Sequence, residues 1–434
     1  MTDFITRRQL FANTMLNNSI AIFPSNQELI RSNDTEFRFR QHSDFFYLCG
    51  FNEPEACLVI VKTDEQFETI LFNRKKDKTA EVWHGFRLGQ EDAITALHID
   101  RAFMIDDFET ELSQLLSGIE HIYYPVFSGL PFDQRLQNVL TTLRNKSRSG
   151  LISANQFINW QPQLHEMRLF KRPVEQALMR KAGEISALGH VRAMQCCKPG
   201  MLEFQLQLAV ECEFAKQGTR DVAYSSIVAG GNNACILHYT ENDHPLQDGD
   251  LVLIDAGAEY QGYAGDITRT FPVNGRFSEE QAIIYELVLD CQLFAIEQTK
   301  PGNSVVGINQ QVVRKMTEGL LALGIMKGNL ETLVSEGKYK DFYMHGLGHF
   351  IGLDVHDVGN AGTIDNPRLL EPGMAITIEP GLYISCDADV EDRWKGIGVR
   401  IEDDILITET GHEVLTSAVP KSIQEIEALM QQAS

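Results

Sequence analysis

The residues of this 434-residue chain whose types and spacing could do chemistry lie in its second half. Asp255 closes the apolar run LVLID, and Asp266 follows beyond a reversal that carries Gly257, Gly262 and Gly265. Glu379 follows the apolar run AITI. Glu402 lies inside GVRIEDDILIT, read as one strand in which Val399, Ile401 and Ile405 share a face and turn Glu402 to the other. Between these pairs, MHGLGHFIGLDVHDVG supplies His345, His349 and His356. Acidic side chains facing inward from apolar strands are costly unless a cation neutralises them. Taken singly each residue has an ordinary reading: a turn-forming Asp, a structural His, an acidic turn at Glu402, Asp403 and Asp404. The ordered series of two Asp, a His and two Glu points instead to metal. Four carboxylates and one neutral imidazole balance two divalent ions in charge. Their donors, with a shared hydroxide, suit one five- and one six-coordinate ion, and oxygen-rich ligation favours manganese or a similar ion over structural zinc.

Two related halves would bring such residues together. A helix is expected from Pro173, with Val174, Leu178, Ile185 and Leu188 at helical spacing, ending at Lys198-Pro199-Gly200 before a second helical stretch. The same punctuation, Lys300-Pro301-Gly302, recurs before VVGINQQVVRKMTEGLLALG. Further on, LQDGDLVLIDAG (246–257) aligns with LEPGMAITIEPG (370–381), which puts Asp255 and Glu379 in matching places. Halves packed face to face would point strand-end carboxylates into one crevice. Residues 1–172 alternate helical and strand-like segments and read as a separate α/β domain, which leaves 173–434 as the second domain.

Composition narrows the partners. The net charge is −22, and it is uneven: residues 1–172 hold 22 acidic against 19 basic residues, residues 173–434 hold 38 against 19. So acidic a second domain repels phosphate backbones, so no nucleic-acid partner is expected. No apolar stretch approaches the roughly 20 residues that span a bilayer, so neither a membrane nor a secretion signal is expected, and the cytoplasm is the default location. The eight cysteines form no CxxC pair and read as small buried hydrophobes.

The series LIDAGAEYQGYAGDITRTFPVNG, HGLGHFIGLDVHDVG, LEPGMAITIEPGLYI and GIGVRIEDDILIT closely resembles the aminopeptidase P (Xaa-Pro aminopeptidase) branch of the pita-bread metallopeptidases. SDFFYLCGFNEPEACLVIV, LFNRKKDKTAEVWHGFRLGQ and HEMRLFKRP extend the resemblance through the first domain. It implies a mixed α/β (α+β) fold: an amino-terminal α/β domain followed by a pseudo-twofold pita-bread catalytic domain. It implies hydrolysis of the bond between an N-terminal residue and a following proline, by a hydroxide bridging two ions, most simply Mn2+. The implied ligands are Asp255, Asp266, His349, Glu379 and Glu402, with Asp266 and Glu402 bridging and Glu379 also shuttling the proton. His238, His345 and His356 would surround the scissile bond and the proline pocket; Arg400 and Tyr383 would hold a ligand or the substrate. Trp83 lies in a loop that in related oligomers nears a neighbour's cleft, and a homotetramer or dimer is implied. Gly348 departs from the pattern, which has Ser before the ligand histidine. The rival readings are a prolidase restricted to dipeptides, a methionine aminopeptidase, and a non-enzymatic peptide-binding scaffold.

Overall fold

The computed structural model describes residues 2–432 apart from 65, 128 and 131. The chain divides into two compact units between Met167 and Arg168. In the first unit β1 (Ser19–Pro24), β2 (Cys57–Thr63), β3 (Gln66–Asn73), β4 (Arg101–Met104), β5 (His121–Tyr123) and β6 (Gln156–Ile158) form one mixed sheet, in the spatial order β4-β3-β2-β1-β5-β6. Its central strands are apolar on both faces because both are covered. Phe23 of β1 meets Phe11 of α1 (Thr2–Thr14) on one face. Ile20, Ile22, Val59 and Phe72 pack on the other with Phe108 and Leu112 of α2 (Phe108–Leu116) and Leu136 of α3 (Asp133–Asn145). This is the expected α/β domain. Trp83 lies here, on a two-turn helix (Lys78–His84) capped by the Asp77 carboxylate, and it is 79% exposed beside the also exposed Val82 and Phe86.

The second unit carries the expected repetition. Its first half contributes α4 (Pro173–Cys196), α5 (Glu203–Lys216) and the antiparallel sheet of β7 (Ile227–Gly230), β8 (Leu251–Asp255) and β9 (Thr268–Pro272). Its second half contributes α6 (Glu279–Gln298), α7 (Val305–Ala322) and the strands β10 (Ala375–Ile378), β11 (Gly381–Ile384), β12 (Ile397–Arg400), β13 (Asp403–Ile407) and β14 (His412–Val414). The first helix of each pair stops just before its Lys-Pro-Gly, and Gly200 and Gly302 take nearly the same left-handed φ, +87° and +89°. Asp255 ends β8 and Glu379 directly follows β10, as the aligned segments predict. One apolar core runs through both halves, joining Ile254, Ile267 and Phe271 to Ile376, Ile378, Val399 and Ile405 and to Val288 and Val312 of the helices.

Two local expectations, the strand through Glu402 and the burial of every cysteine, differ from the structure. Glu402 is not inside one continuous strand: β12 pairs with β11, β13 pairs with β10, and Ile401-Glu402 is the switch between partners. The apolar alternation runs through the break because Val399, Ile401 and Ile405 are all buried in the same core. The reversal between Asp255 and Asp266 is a hairpin: β8 and β9 pair antiparallel, as do the tip strands 258–260 and 263–264, which also join 221–222 in a separate sheet. Cys212 and Cys386 are exposed rather than buried, and all eight cysteines are free. No described helix is long and apolar enough to cross a membrane.

Candidate metal centre and cleft

The seam between the halves is built by β9 and the β12–β13 switch. Glu402 N donates to Thr268 O at 3.0 Å, and Arg400 N and O both engage Thr270 Oγ1. Freed from the sheet ladder, the Glu402 side chain accepts from Thr268 Oγ1 at 2.7 Å. Asp255 lies opposite Thr268 in the β8–β9 register, and Asp266 lies just ahead of β9. From the second half, Glu379 N and Thr377 N donate to Leu347 O and His349 O. Those two bonds fasten the histidine segment beside β10. Gly348 fits this closeness: a Cβ there would lie 2.0 Å from Thr377 O, so the residue before His349 has no room for a side chain with the backbone as it stands.

The result is one cleft of about 510 Å³, lined by Asp255, Asp266, His349, Glu379 and Glu402 together with His238, His345, His356 and Arg400. Tyr383 stands behind it, bonded to His345 and Arg400. Every residue of the second unit singled out from the sequence therefore converges, whereas Trp83 belongs to the other unit. Asp266, His349 and Glu402 each offer a ligand atom within 4.8 Å of one another.

These residues fit bound cations. His349 Nδ1 lies 3.0 Å from Phe350 O, a carbonyl that can only accept, so the proton sits on Nδ1. Nε2 therefore turns a lone pair toward Glu379 Oε1 at 3.5 Å and Asp266 Oδ2 at 3.7 Å. Three electron-rich groups face one another across a space that a positive ion would fill. Burial pulls His349 down to about 4, which keeps the ring neutral. Burial, reinforced by Asp255 and Asp404, pushes Asp266 well above the usual carboxylate range. Burial, reinforced by Asp266, Glu379 and Asp255, does the same to Glu402. Burial lifts Glu379 to about 7 against the opposing pull of Arg400. Without cations these acids resist ionising together; two divalent ions would neutralise them.

Arg400 is the fixed charge of the site. Its Nη2 donates to Asp255 Oδ2 at 2.6 Å, Nε to Thr268 Oγ1 at 3.1 Å and Nη1 to Tyr383 Oη at 3.1 Å. Burial opposes its charge, but the surrounding Tyr383, Asp255, Glu402 and Glu379 outweigh it and keep the guanidinium protonated. Tyr383 Oη donates a hydrogen bond to His345 Nε2 at 2.7 Å, while His345 Nδ1 donates to Gly346 O. His238 and His356 are exposed at the cleft, the latter edge-on to His349 with ring centroids 4.3 Å apart.

Sequence reasoning missed two groups. Tyr224 Oη contacts Asp255 Oδ1 and Asp266 Oδ1 together, and nothing in the AYSS segment announces this. Asp404, buried at the foot of the site, accepts from Asp266 N at 2.9 Å and so fixes the backbone that carries Asp266.

A carboxylate-rich cleft with a neutral histidine, set between two related halves, is the site of a metallopeptidase, and comparison with known proteins agrees. Residues 177–409 match the model of metallopeptidase family M24, and residues 4–123 match that of the aminopeptidase P N-terminal domain. The chain is 49% identical over 429 residues to an Escherichia coli Xaa-Pro aminopeptidase, covering 99% of this chain and 97% of that one. It is 50% identical over 424 residues to a Haemophilus influenzae Xaa-Pro aminopeptidase, covering 98% and 96%. Among solved structures, zinc-substituted E. coli aminopeptidase P in complex with product superposes with a TM-score of 0.98 at 49% identity, covering 100% of this chain and 98% of that one. The chain belongs to metallopeptidase family M24, in its aminopeptidase P branch, with the two-domain fold of that branch.

Proposed function

We propose that the chain releases the N-terminal amino acid from peptides whose second residue is proline, using two divalent ions, most simply Mn2+. The observation that carries the reading is the convergence of Asp255, Asp266, His349, Glu379 and Glu402 on one cleft, with the His349 Nε2 lone pair facing two carboxylates. As the family resemblance implies, Asp266 and Glu402 would serve both ions, Asp255 one of them, and His349 with Glu379 the other; Asp266 and Glu402 are the most deeply buried of the five. When bound, such a pair supplies a water acidified enough to attack a carbonyl near neutral pH and positive charge against the developing oxyanion.

The chain's own residues handle binding and protons. Glu379 lines the cleft beside His349, where a carboxyl can take a proton from water and return it. As the carbonyl carbon gains an oxygen and the C–N bond breaks, that proton goes to the proline nitrogen, which leaves poorly until protonated. His238 and His356, with the apolar Ile227, Leu237 and Val355, line the space assigned to the proline ring. His345 and Tyr383 support the substrate carbonyl from behind, and Arg400 holds Asp255. In the same reading the enzyme is cytoplasmic and a homo-oligomer, tetramer or dimer, with the exposed Trp83 loop meeting a neighbouring subunit.

A panel of peptides tests this. With Mn2+ supplied, tripeptides and longer peptides of the Xaa-Pro type should lose their first residue while a Met-Ala peptide stays intact. Cleavage of Xaa-Pro dipeptides alone would establish a prolidase instead.

A further inference from the structure

The segment that leads into α4 holds two charges out of water. Arg168 Nη2 donates to Asp354 Oδ2 at 2.8 Å and to Asp357 Oδ1 at 2.5 Å, and Lys171 Nζ donates to Asp357 Oδ2 at 2.9 Å. The side chains of Arg168, Lys171 and Asp357 are 2%, 1% and 1% exposed. Both oxygens of one buried carboxylate are thus held by cations. Burial opposes ionisation of Asp357, and Lys171 and Arg168 outweigh it, holding the carboxyl below its usual range. Such clusters add little stability over an apolar set of the same volume, so what they fix in space is the better question.

What this one fixes is the loop that presents His356, the neighbour of Asp357. Asp357 N donates to Phe350 O, Ala264 N donates to Gly352 O, and His349 Nδ1 donates to Phe350 O. A Cβ on Gly352 would lie 2.2 Å from Asp357 Oδ2 and 2.9 Å from Lys171 Cε, so the loop backbone is pressed against the ion pair. From this anchorage the His356 ring reaches the cleft and stacks edge-on against His349.

We propose that Arg168 and Lys171 are positioning residues for catalysis: by clamping Asp357 from both sides they hold His356 at the substrate's place in the cleft. The inference rests on the reading of His356 as a group that touches substrate. Neither cation reaches the cleft lining itself.

The test is a double-mutant cycle in the full chain, loaded with Mn2+ and assayed on an Xaa-Pro tripeptide, with Lys171→Met, His356→Ala and both together. Lys171→Met should lower kcat/KM at least tenfold in the parent and less than twofold in the His356→Ala background, because its effect passes through His356. Equal losses in both backgrounds overturn the proposal. An unchanged kcat/KM in His356→Ala alone overturns the substrate reading of His356, and the proposal with it. Lys171→Met leaves Asp357 with half its compensation, so the pair Lys171→Met with Asp357→Asn separates position from folding. Restored thermal stability with kcat/KM still at least fivefold down, and a displaced His356 ring resonance in 15N-histidine NMR, supports the clamp. Full recovery of kcat/KM along with stability overturns it.

Discussion

Arg400 Nη2 lies 2.6 Å from Asp255 Oδ2, and this contact ties the last strand before the Glu402 switch to the first acid of the site. The same guanidinium reaches Thr268 and Tyr383, so three partners depend on its planar fork. An ammonium cannot span three such directions. Arg400→Lys should therefore keep the charge but lower the melting temperature, because buried bonds to Asp255, Thr268 and Tyr383 are lost, and misalignment of Asp255 should lower kcat/KM about 100-fold. Steady-state kinetics and a melting curve check both halves of that statement.

Tyr224 touches Asp255 and Asp266 at once and is shielded by burial, which together with those acids raises its phenol well above the usual range. Its single hydroxyl proton is shared between the two carboxylates proposed as ligands and keeps them aligned. Tyr224→Phe should weaken divalent-ion binding about 10- to 100-fold by isothermal titration, the usual scale for removing a group that orients ligands. Unaltered ion affinity would contradict this role for Tyr224.

His190 on α4 is fully buried, donates from Nε2 to Ala256 O at 2.9 Å, and is pulled down to about 4 by burial. In the unfolded chain it titrates near 6.5. The folded state therefore resists a proton that the unfolded state accepts. Its contribution is complete above about pH 6.5 and is lost as pH falls toward 4, by about 3 kcal/mol in all. Urea unfolding at stepped pH should show His190→Gln losing less stability than the parent across that interval; parallel curves would contradict it.

Much of the site was legible because its carboxylates terminate apolar strands, a pattern that burial makes expensive and therefore informative. Asp255 and Glu379 stand where the repeated segments put them, since each half uses the same strand and turn. The break at Glu402 was hidden, because both flanking strands feed one core and preserve the alternation across it. Tyr224 and the clamp on Asp357 were hidden for another reason. Each joins residues far apart in the chain, as Arg168 and Asp357 do, and no local periodicity records such a pairing. The family resemblance supplied the choice of His349 as ligand, which spacing alone left open among three histidines.

Five side chains from two halves are proposed to hold a pair of divalent ions on which peptide cleavage depends. Chelator-stripped protein titrated with Mn2+, with bound metal and Xaa-Pro tripeptide hydrolysis followed in the same samples, addresses this proposal most directly. Activity should be absent at the start and level off at two ions per chain, and Asp266→Asn should abolish both signals. Hydrolysis by the stripped protein, or saturation with the five side chains holding no metal, would contradict it.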